Sequence, residues 1–169
     1  MKSKASTPTP NRILAIDPGF ERLGIAILEK ESGKEKLLYS ECLRTSSKLS
    51  HSARLLIIGE RIKEVIKKWK PKHLAIETLF FNNNITSALG VAESRGVVIY
   101  EATQAGLEVC EYSPQAIKIA ITGFGAADKK QMESMIRRLV NLEKTRKMLD
   151  DELDAIALGI THLASKKDI

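Results

Sequence analysis

Apolar residues recur along this chain with two different periods, and the switches between them mark out the elements. Residues 12–17 (RILAID), 24–30 (GIAILEK) and 36–44 (KLLYSECLR) are short runs rich in Ile, Leu and Ala that predict three strands. The connections between them, PGFERL and ESGKE, are short and carry glycine and charge, as in an antiparallel meander. From residue 50 to 70 the period lengthens. Leu55, Ile58, Ile62, Val65 and Ile66 return on one face of an amphipathic helix, with Ser50 or Ser52 available as its cap and Pro71 at its end. HLAIET (73–78) is again a buried strand, 84–106 a helix rich in small residues, and LEVCEYS (107–113) a fifth strand. PQAIKIAIT (114–122) opens with proline at a favoured first-turn position, and helices over 128–142 and 150–162 complete the chain. The order βββαβαβ followed by helices predicts an α/β fold: a mixed five-stranded sheet with helices on both faces.

Composition narrows the class without naming a function. A chain of 169 residues, 43% hydrophobic and 28% charged, suits one domain with a sizeable core. Residues 1–10 are polar, with Pro8 and Pro10, and read as a disordered tail; 11–165 reads as the domain and 166–169 as a frayed end. A net charge of +6 suits a polyanionic partner. No apolar stretch is long enough for a signal peptide or a membrane span. Cys42 and Cys110 lack metal-ligand spacing; Cys110 lies in an apolar run and is expected to be a buried thiol, in keeping with a reducing cytoplasm.

Four carboxylates do not fit a purely structural account. Asp17 ends an apolar strand, where a charge is expensive unless a partner, hydrogen bonds or a metal offsets its desolvation; DPG is also a good turn sequence. Glu77 ends HLAIE in the same way, and Glu is poor in both strands and turns. Asp151 and Asp154 are spaced i and i+3, about 60° apart on the last helix, which serves either helix-terminus stabilisation or a shared ligand site. At the carboxyl ends of adjacent strands such a group needs cations, and hard oxygen donors point to Mg²⁺ or Mn²⁺. Two such ions about 4 Å apart are suited to in-line displacement at a phosphodiester.

The segments ILAIDPGFERLGIAI, LAIETLFFNNNITSALGVAESRGVV, YSPQAIKIAITGFGAADKKQM and DDELDAIALGITH, in this order, resemble the RuvC family of Holliday junction resolvases, within the RNase H-like superfamily. The resemblance spans nearly all of 12–163 and implies a catalytic and metal-binding tetrad of Asp17, Glu77, Asp151 and Asp154, holding two Mg²⁺ ions that Mn²⁺ can replace. If the register slips by one, Asp150 replaces Asp151; three-residue spacing to Asp154 favours Asp151. The loop EKTRKMLDD departs from the family pattern in lacking prolines. Lys118 and Lys129 match positions that contact DNA or the scissile phosphate, with Lys130 as a neighbour, and Phe80 matches an aromatic that stacks on bases at the junction. The start of the helix at 128 adds a candidate phosphate seat. The implied activity is metal-dependent hydrolysis in four-way junction DNA, by paired symmetric nicks leaving 5′ phosphates and 3′ hydroxyls. The implied assembly is a homodimer joined through helix 84–105, working with a RuvA/RuvB-type branch-migration complex in recombination and repair. His162 is expected to be structural. Two other readings stand beside this one: a YqgF-like nuclease acting on structured RNA, and a junction-binding module without catalysis. An actin-like ATPase needs two such domains, and the chain is too short.

Overall fold

Strands β1 (Ile13–Asp17), β2 (Arg22–Glu31), β3 (Lys34–Arg44), β4 (His73–Glu77) and β5 (Glu108–Tyr112) form one sheet in the order β3-β2-β1-β4-β5. The computed structural model of the chain describes residues 11–79, 85–142 and 145–166, and of 85–87 the backbone alone. The first three strands are the expected antiparallel meander, and β4 and β5 extend it in parallel on the other side of β1. Helix α1 (His51–Trp69) links β3 to β4, and α2 (Ile85–Gln104) is the crossover that a parallel pair requires between β4 and β5. Helices α3 (Pro114–Thr122), α4 (Lys129–Leu139) and α5 (Asp150–Ser165) follow.

The period of two along the strands divides the core. On β1, Ile13 and Ala15 face α3, α4 and α5, while Leu14 and Ile16 face α1 and α2; all four are fully buried. Ile58 and Ile62 of α1 are also fully buried, each contributing about 1.5–3 kcal/mol by leaving water. The α5 side is floored by Ala15, Ala26 and Ala75, so the helix can sit low on the sheet. At Gly159 an added Cβ would come 2.2 Å from Leu28 Cδ1. Helix α5 is buried almost continuously from Leu153 to Leu163.

Local chemistry explains where the elements end. Ser50 caps α1, accepting from the Ala53 amide at 3.3 Å, and Lys70 closes it in a left-handed conformation before Pro71. Helix α3 runs over the expected 114–122, with Ser113 as its cap and Gly123 after its end. Helix α4 stops at Leu139, short of the expected 142, because Asn141 adopts φ 51° and the Leu142 amide turns back to the Arg137 carbonyl at 2.8 Å. Strands β2 and β3 reach further than expected because Ser32 (φ 52°) and Gly33 (φ 80°) make the tight mirror-image turn that continues a hairpin. The buried thiol expected at Cys110 is only half-buried, since β5 is an edge strand.

Candidate active site

Strands β1 and β4 run side by side with Ile16 paired to Ile76, so the next residues, Asp17 and Glu77, end the two strands together. Both share the side of the sheet that carries Ala15 and Ala75, under α5. The first turns of α5 bring Asp151 and Asp154 over the same strand ends. A glycine permits this approach. Gly24, paired with Asp17 across β1 and β2, has no side chain, and a Cβ there would lie 1.9 Å from the Asp151 carbonyl oxygen and 3.2 Å from Asp17 Cβ. Helix α5 therefore rests on the backbone of β2 at the point where its carboxylates begin.

The group is short of positive charge. Burial, then repulsion from Asp154, Glu77 and Asp151, pushes the Asp17 carboxyl up from 3.8 to about 8. Burial also raises Glu77, with Asp154 adding to it. Burial raises Asp154 too, against the pull of Lys129. Asp151 has the Arg22 guanidinium 3.3 Å from Oδ2, yet that oxygen is buried and accepts no hydrogen bond, so the contact is one of charge alone. An orphaned carboxylate oxygen beside three carboxyls whose ionisation is made harder by burial and mutual repulsion is a donor set that fits hard divalent cations.

The Asp150 alternative separates clearly in space. The Asp150 side chain is 67% exposed and bonds Lys129 Nζ at 3.0 Å, whereas Asp151 is 16% exposed and couples to Asp17. Neither caps the helix in the strict sense: the cap position is Leu149, with no side-chain hydrogen bond, although the acidic first turn does meet the positive end of the helix dipole.

A cavity of about 420 Å³ opens beside the carboxylates, and Glu77, Lys118, Lys129, Asp150 and Asp154 are among its lining residues. The structure thus brings both expected lysines, from α3 and α4, to the rim of the site. The Lys129 side chain is 86% exposed. Phe80 lies outside the described residues. The phosphate seat expected at the start of α4 is a correction: Asp128 already accepts from the Gln131 amide at 2.8 Å and Gln131 Oε1 from the Asp128 amide at 2.9 Å, so the protein's own carboxylate fills that end.

Three positioning residues escape a reading of motifs alone. Buried Ser94 of α2 donates to the Gly19 carbonyl at 2.8 Å, and its neighbour Arg95 donates from Nε to the Glu77 carbonyl at 3.1 Å, so one helix holds both strand ends. The sign of this in the sequence is a polar pair inside a stretch of small and apolar residues. Arg22, facing Asp151, is the first residue of β2, at a position that the sequence pattern places in a turn and gives no role.

A family model described as Crossover junction endodeoxyribonuclease RuvC matches residues 13–162. The chain belongs to the RuvC family. It is 41% identical over 153 residues to the RuvC of Desulfitobacterium hafniense, covering 90% of this chain and 92% of that one. It is 42% identical to the RuvC of Alkaliphilus metalliredigens, again over 153 residues, with 90% and 93% covered. Among solved structures, Thermus thermophilus RuvC in complex with Holliday junction substrate superposes with a TM-score of 0.85 at 30% identity, over 91% of this chain and 93% of that one. The yeast mitochondrial Holliday junction resolvase Ydc2 shares the fold, with a TM-score of 0.69 at 13% identity, over 94% and 80%. The five-stranded mixed sheet with helices on both faces is thus the RuvC architecture, as the pattern of strands and helices predicts.

Proposed function

We propose that this RuvC-family chain is a structure-specific endonuclease that resolves four-way DNA junctions by paired symmetric nicks, in recombination and repair. The observation that carries this reading is the convergence of Asp17, Glu77, Asp151 and Asp154 at one end of the sheet, with Asp17 raised to about 8. These four residues would hold two divalent cations, Mg²⁺ or in its place Mn²⁺. When bound, such ions activate water as the nucleophile and stabilise the leaving 3′ oxygen. The chain's own groups do the rest. Gly24 sets the height of α5 over β2, Arg22 balances Asp151, and Arg95 and Ser94 fix the ends of β4 and of the turn after β1. Lys118 and Lys129 at the cavity rim take backbone phosphates, and Phe80, three residues past Glu77, stacks on a base at the crossover.

A four-way junction is close to two-fold symmetric, so two equivalent sites are needed, and a homodimer supplies them. We assign its interface to the outer side of α2 with α1, where Leu89, Tyr100 and Leu56 are exposed. The nuclease domain spans 11–165 and acts in the cytoplasm beside a RuvA/RuvB-type branch-migration complex. In keeping with this, no helix among the described residues is long and apolar enough to cross a membrane.

The test is cleavage of a synthetic four-way junction, a linear duplex and a structured RNA with Mg²⁺ or with EDTA. The expected result is paired symmetric nicks with 5′ phosphates on the junction alone, abolished by EDTA and by Asp17→Asn, which still binds the junction. Preferential cleavage of RNA, or binding of the junction without cleavage, would overturn the reading.

A further inference from the structure

The face of the sheet that carries the carboxylates has a second donor cluster at its opposite end. The strand alternation that places Glu77 under α5 places His73, at the start of β4, there as well. Cys110 of β5 pairs with Ala75, and Glu108 with His73, so both point the same way. His162 comes down from the last turns of α5. One ligand atom from each of His73, Cys110 and His162 lies within 4.8 Å of the other two. His162 is fully buried. Its Nδ1 is 2.9 Å from Tyr112 Oη, but its Nε2 is buried with no hydrogen-bond partner, and so is Nδ1 of His73. Glu108 Oε2 is 3.6 Å from that His73 nitrogen, and its other oxygen contacts Lys166 and Cys110 Sγ.

We propose that His73, Cys110 and His162 form a zinc site, with Glu108 as fourth ligand, that ties β4, β5 and α5 together at the end of the sheet opposite the four carboxylates. A thiol with two imidazoles and one carboxylate is a borderline-soft set that takes Zn²⁺ and discriminates against Mg²⁺. Tyr112 Oη, 2.9 Å from His162 Nδ1, is placed for the orienting part usual beside a metal-bound histidine: with zinc bound, the His162 tautomer protonated at Nδ1 would donate to Oη and leave the Nε2 lone pair for the ion. With bond lengths of about 2.0–2.3 Å, tetrahedral ligands stand roughly 3.3–3.8 Å apart, so the donors close inward by about 1 Å on binding. Cys110 loses its thiol proton to solvent as the Zn–S bond forms. The site is independent of the nuclease reading and stands or falls separately from it.

The experiment uses the full chain, stripped with a chelator and then titrated with Zn²⁺ against a chromophoric chelator, with Mg²⁺ in excess to hold the carboxylates. The expected results are one tightly held Zn²⁺ per chain, a melting temperature that rises with zinc, and, with Co²⁺ in its place, a thiolate-to-cobalt charge-transfer band. Cys110→Ala should remove the band and weaken zinc binding at least a hundredfold while junction cleavage persists; Cys42→Ala should leave the band intact. His73→Gln, with its fold checked by circular dichroism, should weaken binding at least tenfold. Absence of tight zinc binding in the wild-type chain would overturn the proposal. So would a band that survives Cys110→Ala or disappears with Cys42→Ala, or a His73→Gln chain that binds zinc as tightly as wild type.

Discussion

Asp17→Asn should make the metal-free protein more stable at neutral pH while it abolishes cleavage. In the unfolded chain the Asp17 carboxyl titrates at 3.8, and in the folded chain at about 8. Between these values the folded state holds a proton that the unfolded state has released, so stability falls as pH rises. The interval from 3.8 to pH 7, at about 1.4 kcal/mol for each pH unit, comes to about 4 kcal/mol. Asparagine needs no proton but keeps a buried amide, which returns about 1–3 kcal/mol of that gain. The net expectation is a stabilisation on the order of 1–3 kcal/mol at pH 7, or several degrees in melting temperature for a domain of this size. The variant should be about 1–3 kcal/mol less stable than wild type at pH 4, where only the amide cost remains, overtake it toward neutrality, and hold a constant lead above pH 8. Mg²⁺ should narrow it, because the ion binds the ionised wild-type carboxylates. The assay is thermal melting of both proteins from pH 4 to 9, with EDTA and with Mg²⁺. A difference that does not change with pH, or a variant less stable throughout, would refute the claim that Asp17 is a desolvated carboxylate crowded by its neighbours.

Other substitutions test neighbouring parts of the site. Gly24→Ala places a methyl group against the Asp151 carbonyl and must lift α5; it should cost about 1–3 kcal/mol in chemical denaturation and lower single-turnover cleavage more than tenfold, with junction affinity retained. Asp151→Asn should lower cleavage at least a hundredfold, whereas Asp150→Asn, which removes only the exposed bond to Lys129, should stay within about threefold of wild type; equal losses would return the register to question. Lys129→Ala should weaken junction binding and reduce the slope of log affinity against log salt by about one, as loss of one phosphate contact requires; an unchanged slope would remove Lys129 from the DNA contacts.

The order of strands and helices was legible from periodicity alone, and Asp17 and Glu77 stood out because a charge that closes an apolar strand is expensive unless something offsets its desolvation, although for Asp17 the turn sequence DPG offered a structural reading as well. Four kinds of feature were not legible. The seat of Asp151 depends on Gly24, far away in sequence, and a glycine in a strand gives no hint of which backbone it admits. The polar pair Ser94 and Arg95 stands out in its apolar stretch, but its partners are main-chain carbonyls, which no residue pattern identifies. The start of α4 looked like an anion seat by its position, but the residue in front of it, Asp128, satisfies the helix end itself. His73, Cys110 and His162 come from three separate elements, so no spacing rule connects them.

The alternation of side chains along β1 and β4 also governs how the family can vary in length. Each carboxylate stands an even number of residues from the alanine that faces α5, two steps from Ala15 to Asp17 and from Ala75 to Glu77. A single-residue insertion or deletion within either strand would turn its carboxylate toward α1 and α2 and expose the opposite layer of the core. Insertions and deletions that persist through evolution must therefore collect where parity is not counted, at the Ser32–Gly33 hairpin and in the segment between α4 and α5, and the strands that end in Asp17 and Glu77 must keep their length even where nearly every other position drifts.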